Sequence, residues 1–172
     1  VLVVLVVLGA VALSVLDDGT EEASACADVD RPPVDFKNGS LDRVELWLSA
    51  PNGSVSARVE ALIAASPESR RIGLRETDRL VDGEGMLFVH GSEANWSYSV
   101  AGVGYPLDIV FAKSGGDITT IHHAPTPTGA EDDRRYSGRG QYVLQVPLGY
   151  TNRTGVAVGD CLAIPAGLRN AA

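Results

Sequence analysis

The sequence predicts a mainly β domain, an antiparallel jelly-roll-like sandwich or barrel with one short helix, preceded by an N-terminal membrane-targeting helix. Three observations predict it. Short apolar segments alternate with polar residues at roughly ten-residue spacing, a period of two that suits half-buried strands. Nineteen Gly and nine Pro supply the turns between them. Only one segment carries a full set of helix-start signals, whereas a parallel α/β sheet needs a helix between most strands. At 172 residues the chain suits one globular domain with a short appendage, not a two-domain enzyme.

Residues 1–16 are apolar apart from Gly9 and Ser14, and Asp17, Asp18, Glu21 and Glu22 follow at once. We read 1–16 as a signal anchor or signal peptide, 17–42 as an acidic linker and 43–172 as the β-sandwich domain. Ala23-Ser24-Ala25-Cys26 reads as a cleavage site or as a degenerate lipobox whose Cys carries a lipid. Nine residues separate Leu16 from Cys26, a spacing that an uncleaved anchor suits better. The expected location is the cell membrane with the domain facing the exterior, or alternatively the secreted state. A Cys26–Cys161 disulfide could form there, but with Cys26 in a linker two unrelated cysteines are the default. Sequons at Asn38, Asn52, Asn95 and Asn152 are candidate glycosylation sites, although Asn-Gly in the first two is also a common turn.

Within the domain, Val44, Leu46 and Leu48 alternate with polar neighbours, as do Val55, Ala57, Val59 and Ala61, and Pro51-Asn52-Gly53-Ser54 turns one strand into the other. Ser66-Pro67-Glu68 opens the short helix, with Ser at the N-cap, Pro at the first position and an acid in the first turn, and Gly73 closes it. Further strands are expected at 86–90, 95–101, 107–112, 118–123, 141–147 and 161–164, with Ser114-Gly115-Gly116-Asp117 as a hairpin turn and 125–140 as a polar loop.

The net charge of −8 disfavours a nucleic-acid partner, which needs clustered cations. Lys37 and Lys113 are the only lysines, and an acidic, lysine-poor surface suits a chain working in concentrated salt, where self-repulsion is screened. No nucleotide-binding fingerprint or nucleophile elbow is present, no cofactor or metal is expected, and adjacent His122 and His123 on a strand point to opposite faces. Arg134, Arg135 and Arg139 could grip a phosphate or carboxylate, but Glu131, Asp132 and Asp133 beside them favour a self-compensated loop.

Several motifs in order, Ser66-Pro67-Glu68-Ser69-Arg70 with Gly73-Leu74, Gly85-Met86-Leu87-Phe88, Pro106-Leu107-Asp108-Ile109-Val110-Phe111, and Tyr142-Val143-Leu144-Gln145-Val146-Pro147 with Gly159-Asp160, resemble the domain of unknown function 192 family over about 55–165. His122-His123-Ala124-Pro125 and Gly149-Tyr150-Thr151-Asn152 resemble its salt-loving archaeal branch. The resemblance implies a jelly-roll-like sandwich in exported or membrane-anchored proteins, and it supplies no reaction. The chain departs from that pattern at Val100-Ala101-Gly102, where relatives carry a Met, a basic residue and an Asn or Asp. It departs again at Gln145 for a usual Glu and at Arg75 for a usual Met or Ser.

The functional expectation is a non-catalytic module that binds a small molecule, a glycan or an envelope partner through one end or face of the sandwich. Asp108, Arg70, Trp96, Tyr98 and Tyr105 are the candidate ligand residues. Asp108 leads because its strand places an acid beside Val110 and Ala112, opposite Leu107, Ile109 and Phe111, where it needs either the N–H groups of the 102–105 turn, Arg70, or a ligand. The alternative is a small hydrolase or transferase using Asp108 with a nearby Arg or His.

Overall fold

The structure, a computed structural model, describes residues 24–26, 43–128 and 132–168. The anchor segment 1–16 and Asn38 lie outside the described residues, among which no helix is long and apolar enough to cross a membrane. Strands β1 (Arg43–Ser49), β2 (Val55–Ala64), β3 (Glu84–Ser99), β4 (Leu107–Ala112), β5 (Ile118–Ala124), β6 (Arg135–Pro147) and β7 (Cys161–Ala163) form one sheet in the order β5-β4-β6-β3-β2-β1-β7.

The fold is mainly β, and of the expected sandwich or barrel it is a single sheet curled into a half-barrel; the expected wholly antiparallel pairing is corrected to a mixed one. β2 and β3 run parallel, with Leu62 opposite Met86. A parallel pair cannot be joined by a hairpin, and the expected helix, α1 (Pro67–Ile72), is its crossover. Its start is the one the sequence indicates: Ser66 Oγ accepts from the Ser69 N–H at 3.0 Å, and Ser69 Oγ accepts from the Ser66 N–H at 3.0 Å. A further one-turn helix, α2 (Tyr150–Thr154), follows β6.

The two edges of the sheet meet at one end. The Ile118 N–H donates to Asp160 O at 2.8 Å and the Leu162 N–H to Gly116 O at 2.8 Å, so the β4–β5 turn closes against the start of β7. Curling divides the apolar residues into two cores. Leu46, Val59, Leu87, Val110, Leu144 and Leu162 fill the face the sheet wraps around. Leu74, Phe88, Val103, Ile109, Phe111 and Val143 form a second core on the opposite face, under α1 and the loops. All six residues of β4 are buried, because both of its faces are covered.

Two expected breaks are absent. The segments 86–90 and 95–101 belong to one long strand, β3, which absorbs extra residues in a bulge between Val89 and Ala94. Residues 135–140 of the expected polar loop belong to β6. There a glycine makes the packing feasible: a Cβ at Gly138 would lie 2.5 Å from the Phe111 ring.

Cys26 and Cys161 are joined in a disulfide, which corrects the default of two unrelated cysteines and leaves Cys26 no sulfur for a lipid. The short segment 24–26 is thereby held at the closing seam, where Ser24 Oγ also donates to the Asp117 carboxylate.

Candidate functional site

Between α1, the 3-10 turn Gly73–Glu76 that follows it, and the paired strands β3 and β6 lies a cavity of about 370 Å³. Leu74, Phe88, His90, Val103 and Gln145 are its buried residues. One wall is aromatic: the rings of His90 and Trp96 stack with centroids 3.7 Å apart and planes 10° from parallel. Trp96 Nε1 is anchored on Gly140 O at 3.0 Å, and His90 Nε2 meets the Tyr98 hydroxyl at 2.7 Å. Tyr98 in turn stands edge-on to Phe88, with centroids 4.9 Å apart. These contacts fix the orientation of the wall.

Four arginines line the same cavity: Arg70, Arg71, Arg75 and Arg135. Arg71 is neutralised by Glu68 at 2.6 Å, one turn away on α1. The other three are oriented by neutral acceptors. Arg70 donates to the carbonyls of Ala65 and of Val89, the latter at 2.8 Å. Arg75 Nε donates to Ala101 O at 3.2 Å, and Arg135 Nε donates to Ser97 Oγ at 3.3 Å. None of these three forms an ion pair among the described residues. A carbonyl holds a guanidinium in place but does not cancel its charge, so the cavity is a positive region in a chain of net charge −8.

Burial holds the His90 imidazole down to a pKa of about 4, with the Arg70 charge adding to the effect. Burial pushes the Tyr98 phenol up, so it stays protonated. An NMR titration of the His90 ring is therefore expected to show a midpoint near 4, and an ordinary midpoint near 6.5 would contradict this environment. Because the folded value lies below the unfolded one, the stability linked to His90 is complete above about pH 6.5 and is lost as the pH falls through about 4.

Of the candidate ligand residues, Arg70, Trp96 and Tyr98 come together on this cavity, whereas Asp108 and Tyr105 do not line it. Asp108 is 0% exposed and lies on the other face of the sheet, as its alternation with Ile109 requires. Its partners are neither the 102–105 turn nor Arg70. Oδ1 accepts from His123 Nδ1 at 2.7 Å and from the Gly149 N–H at 3.1 Å, and Oδ2 accepts from the Thr151 N–H at 3.0 Å and Thr151 Oγ1 at 2.7 Å. The carboxylate thus caps α2 from a distance, where Gly149 at φ +79° has no side chain to do so. The Tyr105 hydroxyl is buried with no hydrogen-bond partner among the described residues, and burial together with Asp78 and Glu84 pushes its pKa up to about 12.

The adjacent histidines diverge as expected: His122 Nε2 bonds to Ser137 O at 2.8 Å, and His123 turns to Asp108. No group of three metal-ligating side chains converges among the described residues. The three loop arginines separate. Arg134 pairs with Asp132, as a self-compensated loop requires, whereas Arg139 pairs with Glu93 of β3 and Arg135 turns to the cavity. Asn52, Asn95 and Asn152 are all exposed. The candidate ligand residues read from the sequence do not include His90, Arg75 or Gln145, and Arg135 is read there as an anion-gripping possibility outweighed by a self-compensated loop. For Gln145 a signal was present, a polar residue at an alternate position among Val143 and the core residues of β6.

Among known proteins, a profile of the DUF192 family, described as Uncharacterized ACR, matches residues 49–164. A protein from Sinorhizobium meliloti 1021, whose description suggests a transcription regulator, is similar in structure with a TM-score of 0.63. It shares 26% identity, over 72% of this chain and 96% of its own. A protein of unknown function from Novosphingobium aromaticivorans DSM 12444 gives a TM-score of 0.64 at 20% identity, over 81% of this chain and 96% of its own. No curated protein sequence matches the chain.

Proposed function

The chain belongs to the DUF192 family, and from that premise we propose that it is a non-catalytic binding module with the cavity beneath α1 as its small-molecule site. The observation that carries this reading is the convergence of three guanidinium groups without acidic partners among the described residues and a stacked His90–Trp96 wall on one recess. Ligand sites combine an apolar lining with a few placed polar groups in this way. The setting we propose is the exterior face of the cell membrane, with the N-terminal segment as tether. The Cys26–Cys161 disulfide and the exposed sequons at Asn52, Asn95 and Asn152 support an oxidising, extracytoplasmic location. The scarcity of lysine supports a saline one. The net charge of −8 supports no nucleic-acid partner.

Native mass spectrometry of the protein purified from its own host is expected to show one bound small molecule, absent from Trp96→Ala. Ligand-free wild-type protein throughout would overturn the reading. One observation favours a second reading, a small hydrolase or transferase: Asp108 orients His123, whose side chain is 46% exposed, as a carboxylate orients a general base. Turnover that disappears in His123→Ala while the cavity still binds would carry that alternative.

A further inference from the structure

We propose that the cavity takes a small hydroxylated organic anion, a carboxylate or phosphate ester, with its charged head at Arg70, Arg75 and Arg135 and its polar body reaching Gln145. This rests on the cavity being the ligand site and names the class of ligand.

Depth separates the two kinds of group. Arg75 and Arg135 are exposed at the mouth and Arg70 is half-buried, so a charged head need not be carried into the apolar interior. Gln145 is only 3% exposed. It shares the face of β6 with Val143 and sits opposite Met86 on β3 and Ile109 on β4, all members of the core behind the cavity. Its carboxamide makes no hydrogen bond to a described residue, and it is not among the fully enclosed unpaired groups, so it keeps access to the recess that it lines. A carboxamide offers a donor and an acceptor together, the match for a hydroxyl group, which also needs both.

The anionic head follows from charge. Three guanidinium groups face one recess with no carboxylate paired to them among the described residues, and a planar oxyanion suits guanidinium geometry. A neutral ligand would leave that charge unanswered. An inorganic anion alone would leave Gln145 unpaired.

Glucuronate, a glucose phosphate ester and glucose test this at low salt, because the three share a ring and differ in charge. The Trp96 indole N–H and Gln145 carboxamide resonances are expected to shift with at least one of the two anions and not with glucose at the same concentration. The stronger of the two anions identifies the head group as carboxylate or phosphate. Arg75→Gln and Arg135→Gln are each expected to weaken binding by about tenfold. Gln145→Leu is expected to weaken it without lowering the melting temperature, since it removes a buried amide that no described residue pairs with. Glucose binding as tightly as the anions, unchanged affinity in both arginine variants, or no response to any probe would overturn the proposal. A lowered melting temperature in Gln145→Leu would overturn the assignment of Gln145. Each of these results leaves the cavity as a ligand site to be decided by the molecule retained from the host, so the two failures are distinguishable.

Discussion

Replacing both Cys26 and Cys161 with Ser is expected to lower the stability of the domain by about 4–5 kcal/mol. The disulfide spans a sequence separation of 135, so in the unfolded chain it ties together nearly everything that forms the sheet. Loop-closure entropy grows only with the logarithm of loop length, but at this size it already reaches that range. The site adds a local reason for the same sign. Cys161 belongs to β7, the short edge strand of three residues, and Asp117 bridges to it where the sheet closes on itself. Loss of the bond frees the segment that carries Ser24 and Cys26 from that seam and leaves β7 to be held by β1 and a few backbone bonds. Denaturant titration of the oxidised wild type, the reduced wild type and the double variant measures the loss. The last two should agree. A difference below about 1 kcal/mol between oxidised and reduced wild type would show that the unfolded chain is already restrained by other means.

Asp108→Asn is the second large effect, expected at about 3 kcal/mol, with binding in the cavity unchanged. The carboxylate accepts four hydrogen bonds, two on each oxygen. An asparagine of the same shape presents only one acceptor oxygen. His123 can change tautomer and the Thr151 hydroxyl can rotate, but the backbone N–H groups of Gly149 and Thr151 cannot invert. Whichever way the amide is turned, one of those donors faces its NH₂ group in a site that is 0% exposed. The loss therefore combines a weakened charge-assisted bond with a buried donor left unpaired. Asp108 lies on the other face of the sheet from Arg70, Trp96 and Tyr98, so a melting curve should register the change and ligand titration should not. Lost ligand binding at unchanged stability would return Asp108 to the ligand site.

Much of the fold was legible where apolar alternation was unbroken. The β1–β2 and β4–β5 hairpins, the Ser66 start of α1 and the division of β4 into an Ile109 face and a Val110 face all follow from local pattern, because a period of two and a capping box are decided within a few residues. The first half of β6 was not legible. Arg135, Ser137 and Arg139 are exposed in alternation with Tyr136, Gly138 and Gly140, but two of the covered positions are glycines whose space is filled by the Phe111 ring and the Ala112 backbone. A strand whose covered face is supplied by its neighbour carries no apolar signal of its own. Gly91 likewise reads as a break, yet it falls within a bulge that β3 passes through.

The site divides in the same way. By itself the sequence determined a mainly β domain, the presence of an acid on a doubly covered strand, and three of the residues that line the cavity: Arg70, Trp96 and Tyr98. Only the tertiary structure decided that Asp108 belongs to α2 and His123, that Cys26 pairs with Cys161, and that Arg75, Arg135 and Gln145 share one recess. Each of these depends on which strands become neighbours. That choice is made by burying two faces of a single curled sheet at once, a long-range condition that no window of neighbouring residues contains.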